Sequence, residues 1–337
     1  MADNYDIDEL SALLITGKRR ALAKAITLIE SKKPEHKKLA KRLLERILPR
    51  SGNSIRIGIS GVPGVGKSTF IEAFGLYLIE KGHRVAVLAV DPSSQITGGS
   101  LLGDKTRMEE LSRRNEAFIR PSPSGDSLGG VARRTREAIF LCEAAGYDII
   151  IVETVGVGQS EISVSSMVDF FLLMQLPNAG DELQGIKRGV MEVADAIVIN
   201  KADEENLQRA QLAKKQIENA LSIFLNVDKS WKVPVILVSA RYKKGIDEVY
   251  ETISRYVKLK KENGEFYKKR QQQSIQWMWN VVVEGLKEML NENEQVRRFA
   301  KEMESAVINK LTTPSFAAEN ILSEFKNSLC VEVKNEV

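Results

Sequence analysis

The chain has 337 residues, of which 43% are hydrophobic and 28% are charged, and its formal net charge is +4. This length and apolar content suffice for about two domains with a substantial core, so the composition excludes an intrinsically disordered chain. Two cysteines, Cys142 and Cys330, are too few for the disulfide framework of a secreted protein.

No apolar run approaches the about 20 residues of a membrane span, and Met1–Leu14 is acidic. We therefore expect a cytoplasmic protein without membrane contact. The basic clusters Lys37–Arg50 and Lys258–Arg270 contain few aromatic residues, which favours solvated helix faces over nucleic-acid binding.

Residues 1–50 and 261–337 are predicted to be helical extensions on either side of an α/β domain, residues 51–260. Within that domain, short apolar runs alternate with longer amphipathic runs, which is typical of a mostly parallel sheet flanked by helices. Several runs are apolar almost throughout, as in strands that helices cover on both faces. The predicted strands are Arg56–Ser60, Val85–Val90, Asp148–Glu153, Phe170–Gln175, Ala196–Asn200 and Val235–Ser239.

The first predicted strand leads into Gly61–Ser68, whose sequence GVPGVGKS meets every fixed position of the phosphate-binding pattern G-x-x-x-x-G-K-[ST]. Glycines let backbone N–H groups turn towards phosphate oxygens, and the following helix adds its positive N-terminal end. We expect Lys67 to reach the β- and γ-phosphates of a nucleotide and to act in catalysis, and the Ser68 hydroxyl to coordinate Mg²⁺. The residues predicted to bind the nucleotide here are Gly61, Val62, Pro63, Gly64, Val65, Gly66, Lys67, Ser68 and Thr69.

The second predicted strand ends just before Asp91, and a glycine-rich loop, Gly98–Met108, follows it. A carboxylate at a strand end beside a phosphate loop is well placed to join a metal shell, so we predict Asp91 as a metal ligand. Asp104 is a candidate for the metal shell and for catalysis, and Lys105 or Arg107 could neutralise transition-state charge. For these last three residues, an ordinary solvated loop or helix-cap role is an equal alternative.

Glu153 and Gly156 stand at the end of the apolar run Ile149–Val152. At this place a carboxylate can hold a Mg²⁺-bound water and act in catalysis, and a glycine N–H can meet the γ-phosphate. Most GTPases have Asp where this chain has Glu153, and a buried glutamate without a role is the alternative. Val157 stands where Ras-type GTPases have a water-positioning Gln, so we expect slow intrinsic hydrolysis that a partner accelerates.

The strand that ends at residue 200 carries Asn200-Lys201-Ala202-Asp203, the N-K-x-D pattern of GTPases. The Asp203 carboxylate would accept from the guanine N1–H and exocyclic amine, a donor pair that adenine lacks. The pattern therefore predicts GTP and GDP as ligands. Ser239-Ala240, after the next strand, fits the loop whose backbone supports guanine O6. The predicted base-binding residues are Asn200, Lys201, Asp203, Ser239 and Ala240.

The C-terminal extension contains an amphipathic helix whose apolar side chains follow helical spacing. Such a helix either packs back on the α/β domain or buries its stripe against a second chain. Trp277 and Trp279 cannot both be buried to the same extent on one face of the helix. This favours contacts on two sides of the helix, as in a homodimer. The stripe consists of Ile275, Met278, Trp279, Val282, Leu286 and Leu290.

Together these motifs resemble the MeaB/ArgK family of P-loop GTPases. Two long strings, ETVGVGQSE and GDELQGIK, are more specific to that family than the general GTPase motifs. The resemblance spans nearly the whole chain. It is carried by Gly61–Ser68, Asp91–Ser94, Gly103–Met108, Glu153–Glu161, Gly180–Lys187 and Asn200–Asp203.

The resemblance implies a homodimeric GTPase that escorts an adenosylcobalamin-dependent acyl-CoA mutase of the methylmalonyl-CoA mutase type. Such a protein gates cofactor loading and helps to protect or reactivate the mutase. In the family, the loop Gly180–Lys187 is an additional switch that contacts the partner, which makes Asp181 and Lys187 candidates for signalling.

Three alternatives remain open. One is a kinase or ATPase of an amino-acid (LAO or arginine) transport system, and another is a non-catalytic GTP-dependent scaffold. A nickel-inserting GTPase is disfavoured because the chain has only two histidines, His36 and His83, and no cluster of His and Cys ligands.

Overall fold

The computed structural model describes residues 5–90, 108–121, 128–154, 160–177, 188–224 and 230–335. The chain divides into two compact units, Met1–Gln271 and Gln272–Val337. In the described part of the chain, no helix has the length and apolar character that crossing a membrane requires. The domain boundaries predicted at residues 50 and 260 stay predictions.

The first unit is built on a seven-stranded sheet in which all neighbouring strands are parallel. In chain order the strands are β1 Ile55–Gly61, β2 Val85–Val90, β3 Ala117–Arg120, β4 Ile149–Thr154, β5 Phe170–Gln175, β6 Ala196–Ile199 and β7 Val235–Leu237. Their order across the sheet is β3-β2-β4-β1-β5-β6-β7. The strand β1 that leads into the phosphate loop is therefore central, and β4 and β5 lie beside it. The predicted α/β class with a parallel sheet flanked by helices is confirmed.

The predicted strands agree with the structure, with one omission. The bounds of β2 and β5 match the prediction, and the other four differ by one or two residues at an end. The prediction was wrong in leaving out β3, which pairs with β2 from Val85↔Ala117 to Leu88↔Arg120. This strand has only four residues and lies at the sheet edge, so its apolar run is too short to stand out from the sequence.

Helices cover both faces of the sheet and form two apolar cores. The helices of this unit are α1 Ile7–Ile15, α2 Arg19–Glu30, α3 Pro34–Ile47, α4 Lys67–Glu80, α5 Glu109–Arg113, α6 Leu128–Ala144, α7 Ser160–Ser165, α8 Arg188–Glu192, α9 Leu207–Phe224 and α10 Ile246–Glu262. One core joins β-strand side chains to α1, α2, α3, α6, α7, α8 and α9, and the other joins them to α4, α5 and α10. The long helix α11 Glu265–Glu292 leads into the second unit, which also contains α12 Glu294–Ile308 and α13 Pro314–Asn335.

A buried ion-pair network closes the amino-terminal edge of the sheet. The Asp169 carboxylate, directly before β5, accepts from the Arg270 guanidinium at 2.7 Å and 2.6 Å and from the backbone N–H of Arg56 at 2.8 Å. Arg270 also donates to the carbonyls of Gly52 and Ser54 at 2.5 Å and 2.6 Å. The start of α11 is thus hydrogen-bonded to the segments that enter β1 and β5.

Candidate nucleotide site

The phosphate loop joins the end of β1 to the start of α4, and two of its glycines have conformations or neighbours that exclude a side chain. A Cβ on Gly61 would lie 2.5 Å from the Met174 carbonyl oxygen of the adjacent β5. Gly66 has a φ of +91°, and a Cβ there would lie 2.7 Å from the Asn200 side-chain nitrogen. The glycines of the sequence motif are therefore also required by packing, because Gly61 lies against β5 and Gly66 lies against the Asn200 side chain.

Lys67 is the first residue of α4 and is only 9% exposed. Its ammonium group donates to the carbonyls of Gly61 at 2.7 Å and Val62 at 3.4 Å. Burial lowers the pKa of Lys67 from its ordinary value, while the charges of Glu153 and Glu161 favour the protonated form. The amine is thus held inside the loop by carbonyl oxygens that an incoming phosphate group can replace.

Glu153 is 5% exposed and is the penultimate residue of β4, in register with Ile59 of β1 and Ala89 of β2. Strand alternation places it on the same face as Ile149 and Ile151, which belong to the core beneath α4. The next residue, Thr154, points to the other face. The sheet therefore brings Glu153 to the side on which the phosphate-loop helix packs.

The ends of β1 and β4 are joined by a buried contact between two hydroxyl groups. Thr154 Oγ1 donates to Ser60 Oγ at 2.8 Å, and both residues are fully buried. The contact holds the strand that enters the phosphate loop against the strand that precedes residues 155–159.

Asn200, 2% exposed, connects the phosphate loop to the predicted base-binding loop. Its side-chain amide donates to the Val65 carbonyl at 2.8 Å, and its side-chain carbonyl accepts from the Ala240 backbone N–H at 3.1 Å. The Ser239 hydroxyl donates to the Asp203 carboxylate. Four of the five predicted base-binding residues therefore lie in one hydrogen-bonded cluster.

The fifth predicted base-binding residue, Lys201, is exposed and has a φ of +60°, in the left-handed region that side chains rarely adopt. Ser68 and Thr69 lie in the first turn of α4, half-buried and exposed respectively. Several predicted site residues lie outside the described ranges, and their roles stay predictions: Asp91, Asp104, Lys105, Arg107, Gly156, Asp181 and Lys187.

Sequence reasoning assigned no chemical role to Glu161, a buried residue of α7 that is 3% exposed and whose charge acts on Lys67. Its position in the ETVGVGQSE string was the available signal. Among the described residues there is no group of three or more His, Cys, Asp or Glu side chains that could hold a metal ion. The hydroxyl of Ser68 and the carboxylate of Glu153 are nevertheless the hard oxygen donors that suit Mg²⁺ beside a phosphate.

Residues 22–295 match the family described as methylmalonyl-CoA mutase-associated GTPase MeaB. A probable GTPase of Mycobacterium tuberculosis H37Rv is 49% identical over 320 residues, 95% of each chain. The GTPase ArgK of Escherichia coli K12 is 48% identical over 96% of this chain and 98% of its own length.

Two further similarities extend this result. The mitochondrial methylmalonic aciduria type A homologue of Mus musculus is 46% identical over 95% of this chain and 80% of its own length. A crystal structure described as a LAO/AO transport system kinase superposes with a TM-score of 0.78, with 41% identity over 97% of this chain and 99% of that chain. The similarity thus covers the nucleotide site and the helices on both sides of it.

Proposed function

The chain belongs to the MeaB family of GTPases, and from this premise we propose that its GTP hydrolysis gates the loading, protection or reactivation of an adenosylcobalamin-dependent acyl-CoA mutase. Support for this client comes from the family description, which associates the family with methylmalonyl-CoA mutase, and from the name of the mouse relative. The observation that carries the nucleotide part is the Asn200 bridge between the phosphate loop and the loop of Ser239 and Ala240.

In the proposed mechanism, Lys67 exchanges its carbonyl partners for the β- and γ-phosphates of GTP. Ser68 and Glu153 would hold Mg²⁺, with Asp91 and Asp104 as further proposed ligands, and this ion would neutralise phosphate charge. Asp203 recognises the guanine base.

The remaining proposed contacts concern hydrolysis. We propose that the Gly156 N–H meets the γ-phosphate and that Arg107 neutralises charge in the transition state. Because Val157 stands where a water-positioning Gln is expected, the intrinsic rate is slow and depends on the partner.

Coupling to the mutase would use the segments that follow β2, β4 and β5. The carboxyl ends of these strands meet at the edge that carries the phosphate loop, since β1 is flanked by β4 and β5. A mutase that binds one arrangement of these segments more tightly than another shifts the equilibrium between the two arrangements. The size of the shift equals the difference between the two binding free energies. The string Glu153–Glu161 lies at the end of β4, and the signalling candidates Asp181 and Lys187 follow β5 in the sequence.

We also propose a cytoplasmic homodimer. Support for the dimer comes from α11, which exposes a row of large apolar side chains within the second unit. Their exposed fractions lie between 42% and 58%. The row includes Ile275, Met278, Trp279, Val282 and Leu286.

The competing proposal is a kinase or ATPase of an amino-acid transport system, which is the description of the superposed crystal structure. The contact of Ser239 with Asp203 favours the GTPase, because it orients the Asp203 carboxylate. Guanine has a pair of donors for this carboxylate, and adenine lacks them.

The test is a binding measurement between this protein and cofactor-loaded methylmalonyl-CoA mutase, with GDP and with a non-hydrolysable GTP analogue. We expect different affinities in the two nucleotide states. Absence of binding in both would contradict the proposed client, and equal affinity in both would contradict a GTP-gated escort.

A further inference from the structure

A large net positive charge lies in the segment that contains helices α2 and α3, residues 16–50. Residues 16–50 contain 12 of the 49 lysines and arginines of the chain but only three of its 45 acidic residues. This segment therefore has a net charge of +9, whereas the chain as a whole has +4, so the remainder is net negative by five charges. Such an asymmetry creates a local positive field that the overall charge conceals.

All 12 basic side chains are exposed in the structure. We call this surface the N-terminal basic face; it consists of Lys18, Arg19, Arg20, Lys24, Lys32, Lys33, Lys37, Lys38, Lys41, Arg42, Arg46 and Arg50. Two ion pairs among the described residues involve this face: Arg46 contacts Asp8, and Lys41 lies 4.0 Å from Glu45. Both are exposed pairs, which contribute little to stability.

The helices beneath this face are fixed by burial. Leu22 and Ile26 of α2 and Leu43 and Ile47 of α3 are fully buried in the core shared with α6. Because their apolar faces are already occupied, the helices have no apolar face left to insert into a bilayer. Tyr5 is half-buried and His36 is buried, so the described part of α1–α3 offers no exposed aromatic ring for a nucleic-acid base to stack on.

The layer that carries the basic face is connected to the rest of the first unit by two contacts. In the first, Arg120 at the end of β3 forms a largely buried ion pair with Glu30 of α2. In the second, Arg136 of α6, the helix on which α2 and α3 pack, donates to the carbonyl and hydroxyl oxygens of Ser166 at 2.8 Å each. Ser166 directly follows α7, the helix that begins after residues 155–159.

We propose that the N-terminal basic face docks an acidic surface of a protein partner, and that under the proposed function this partner is the mutase. Exposed apolar side chains border the face at Leu13, Ile15 and Leu48, with exposed fractions of 41%, 38% and 56%. A charged surface with an apolar margin fits a protein interface, in which complementary charge steers association and apolar contacts add affinity. A partner on α2 and α3 acts on the nucleotide loops through α6 and α7.

The test uses the full chain with three charge reversals on this face, Lys37→Glu, Lys38→Glu and Lys41→Glu. The matched control reverses three exposed lysines elsewhere in the first unit, Lys215→Glu, Lys258→Glu and Lys268→Glu, which gives the same net charge. The probe is adenosylcobalamin-loaded methylmalonyl-CoA mutase. Affinity is measured at low and at physiological salt, and GTP hydrolysis is measured with and without the mutase.

We expect the triple reversal on the basic face to weaken mutase binding by about tenfold or more at low salt and to flatten its salt dependence. Mutase-stimulated hydrolysis should fall in parallel, whereas intrinsic hydrolysis should stay at the parental rate. The control should bind within about twofold of the parent.

Two results overturn the inference and leave the proposed function intact: equal binding by the parent and the basic-face variant, or equal weakening by both triple variants. If the parent fails to bind the mutase in either nucleotide state, the proposed function is overturned and the inference with it. A duplex DNA probe is titrated as well. Tight binding by the parent at physiological salt, lost in the basic-face variant, would assign the face to nucleic acid and overturn a protein partner.

Discussion

The side-chain amide of Asn200 donates to the Val65 carbonyl at 2.8 Å, which joins the predicted guanine-recognition motif directly to the phosphate loop. The two residues are 135 positions apart in the sequence, and the same side chain accepts from Ala240. One buried amide therefore holds the two halves of the nucleotide site at a fixed separation.

Asn200→Ala should destabilise the nucleotide-free protein and weaken GDP binding. The substitution leaves the Val65 carbonyl and the Ala240 N–H without this partner in a buried place, and each such group costs about 1–3 kcal/mol. Urea unfolding and fluorescent GDP titration measure the two effects. Asn219→Ala, on the exposed side of α9, is the control and should change neither. A parental GDP affinity in Asn200→Ala would refute the role of the bridge.

Gly66→Ala should abolish nucleotide binding. The added methyl group would lie 2.7 Å from the Asn200 amide, at a φ of +91° that disfavours any side chain. Gly82→Ala separates the effect of a positive φ from the effect of the close contact, because Gly82 has a φ of +90° but no atom within 4 Å of a built Cβ. We expect Gly82→Ala to cost about 1 kcal/mol of stability and to bind GDP normally. Normal binding by Gly66→Ala would show that the close approach is unimportant.

Lys67→Met should abolish GTP hydrolysis and alter the pH dependence of stability. Burial lowers the pKa of Lys67 in the folded protein below its ordinary value of 10.5, so the unfolded chain binds the proton more tightly. The protonated lysine therefore opposes folding at neutral pH, and this opposition is lost as the pH rises towards 10.5.

Measured by urea unfolding without nucleotide, the parent should gain stability relative to Lys67→Met as the pH rises from neutral towards the ordinary lysine pKa of 10.5. The exposed Lys215→Met serves as control and should show no such trend. An opposite slope would mean that the two carboxylates, rather than burial, determine the charge of Lys67.

Arg270→Met should destabilise the first unit by about 3–5 kcal/mol, because it removes the guanidinium from a carboxylate, Asp169, whose side chain is only 2% exposed. GTP hydrolysis by the folded fraction should be unchanged, since the network lies at the sheet edge opposite the phosphate loop. Lys268→Met, two residues away and exposed, should be close to neutral. A loss below about 1 kcal/mol would indicate that the network is replaceable.

Most of the fold could be predicted because the strands of a doubly covered sheet are nearly continuous apolar runs. The runs at Val85–Val90 and Phe170–Gln175 have sharp ends, and the structure reproduces them. Ala117–Arg120 was missed because an edge strand of four residues is specified by its pairing with β2 and leaves little periodicity of its own.

The site was predictable where backbone conformation imposes a motif, as at Gly61–Ser68. What could not be predicted were contacts between distant segments, such as Asn200 with Val65 or Thr154 with Ser60, since no local pattern encodes the partner. Glu161 belongs to the same class: its burial near Lys67 follows from the packing of α7.

The most direct test of a GTP-gated escort is the steady-state rate of GTP hydrolysis with and without cofactor-loaded methylmalonyl-CoA mutase, with ATP as the alternative substrate. We expect slow hydrolysis of GTP alone, a rise of at least about tenfold with the mutase, and negligible turnover of ATP. Equal turnover of GTP and ATP, or a GTP rate that the mutase leaves unchanged, would contradict it.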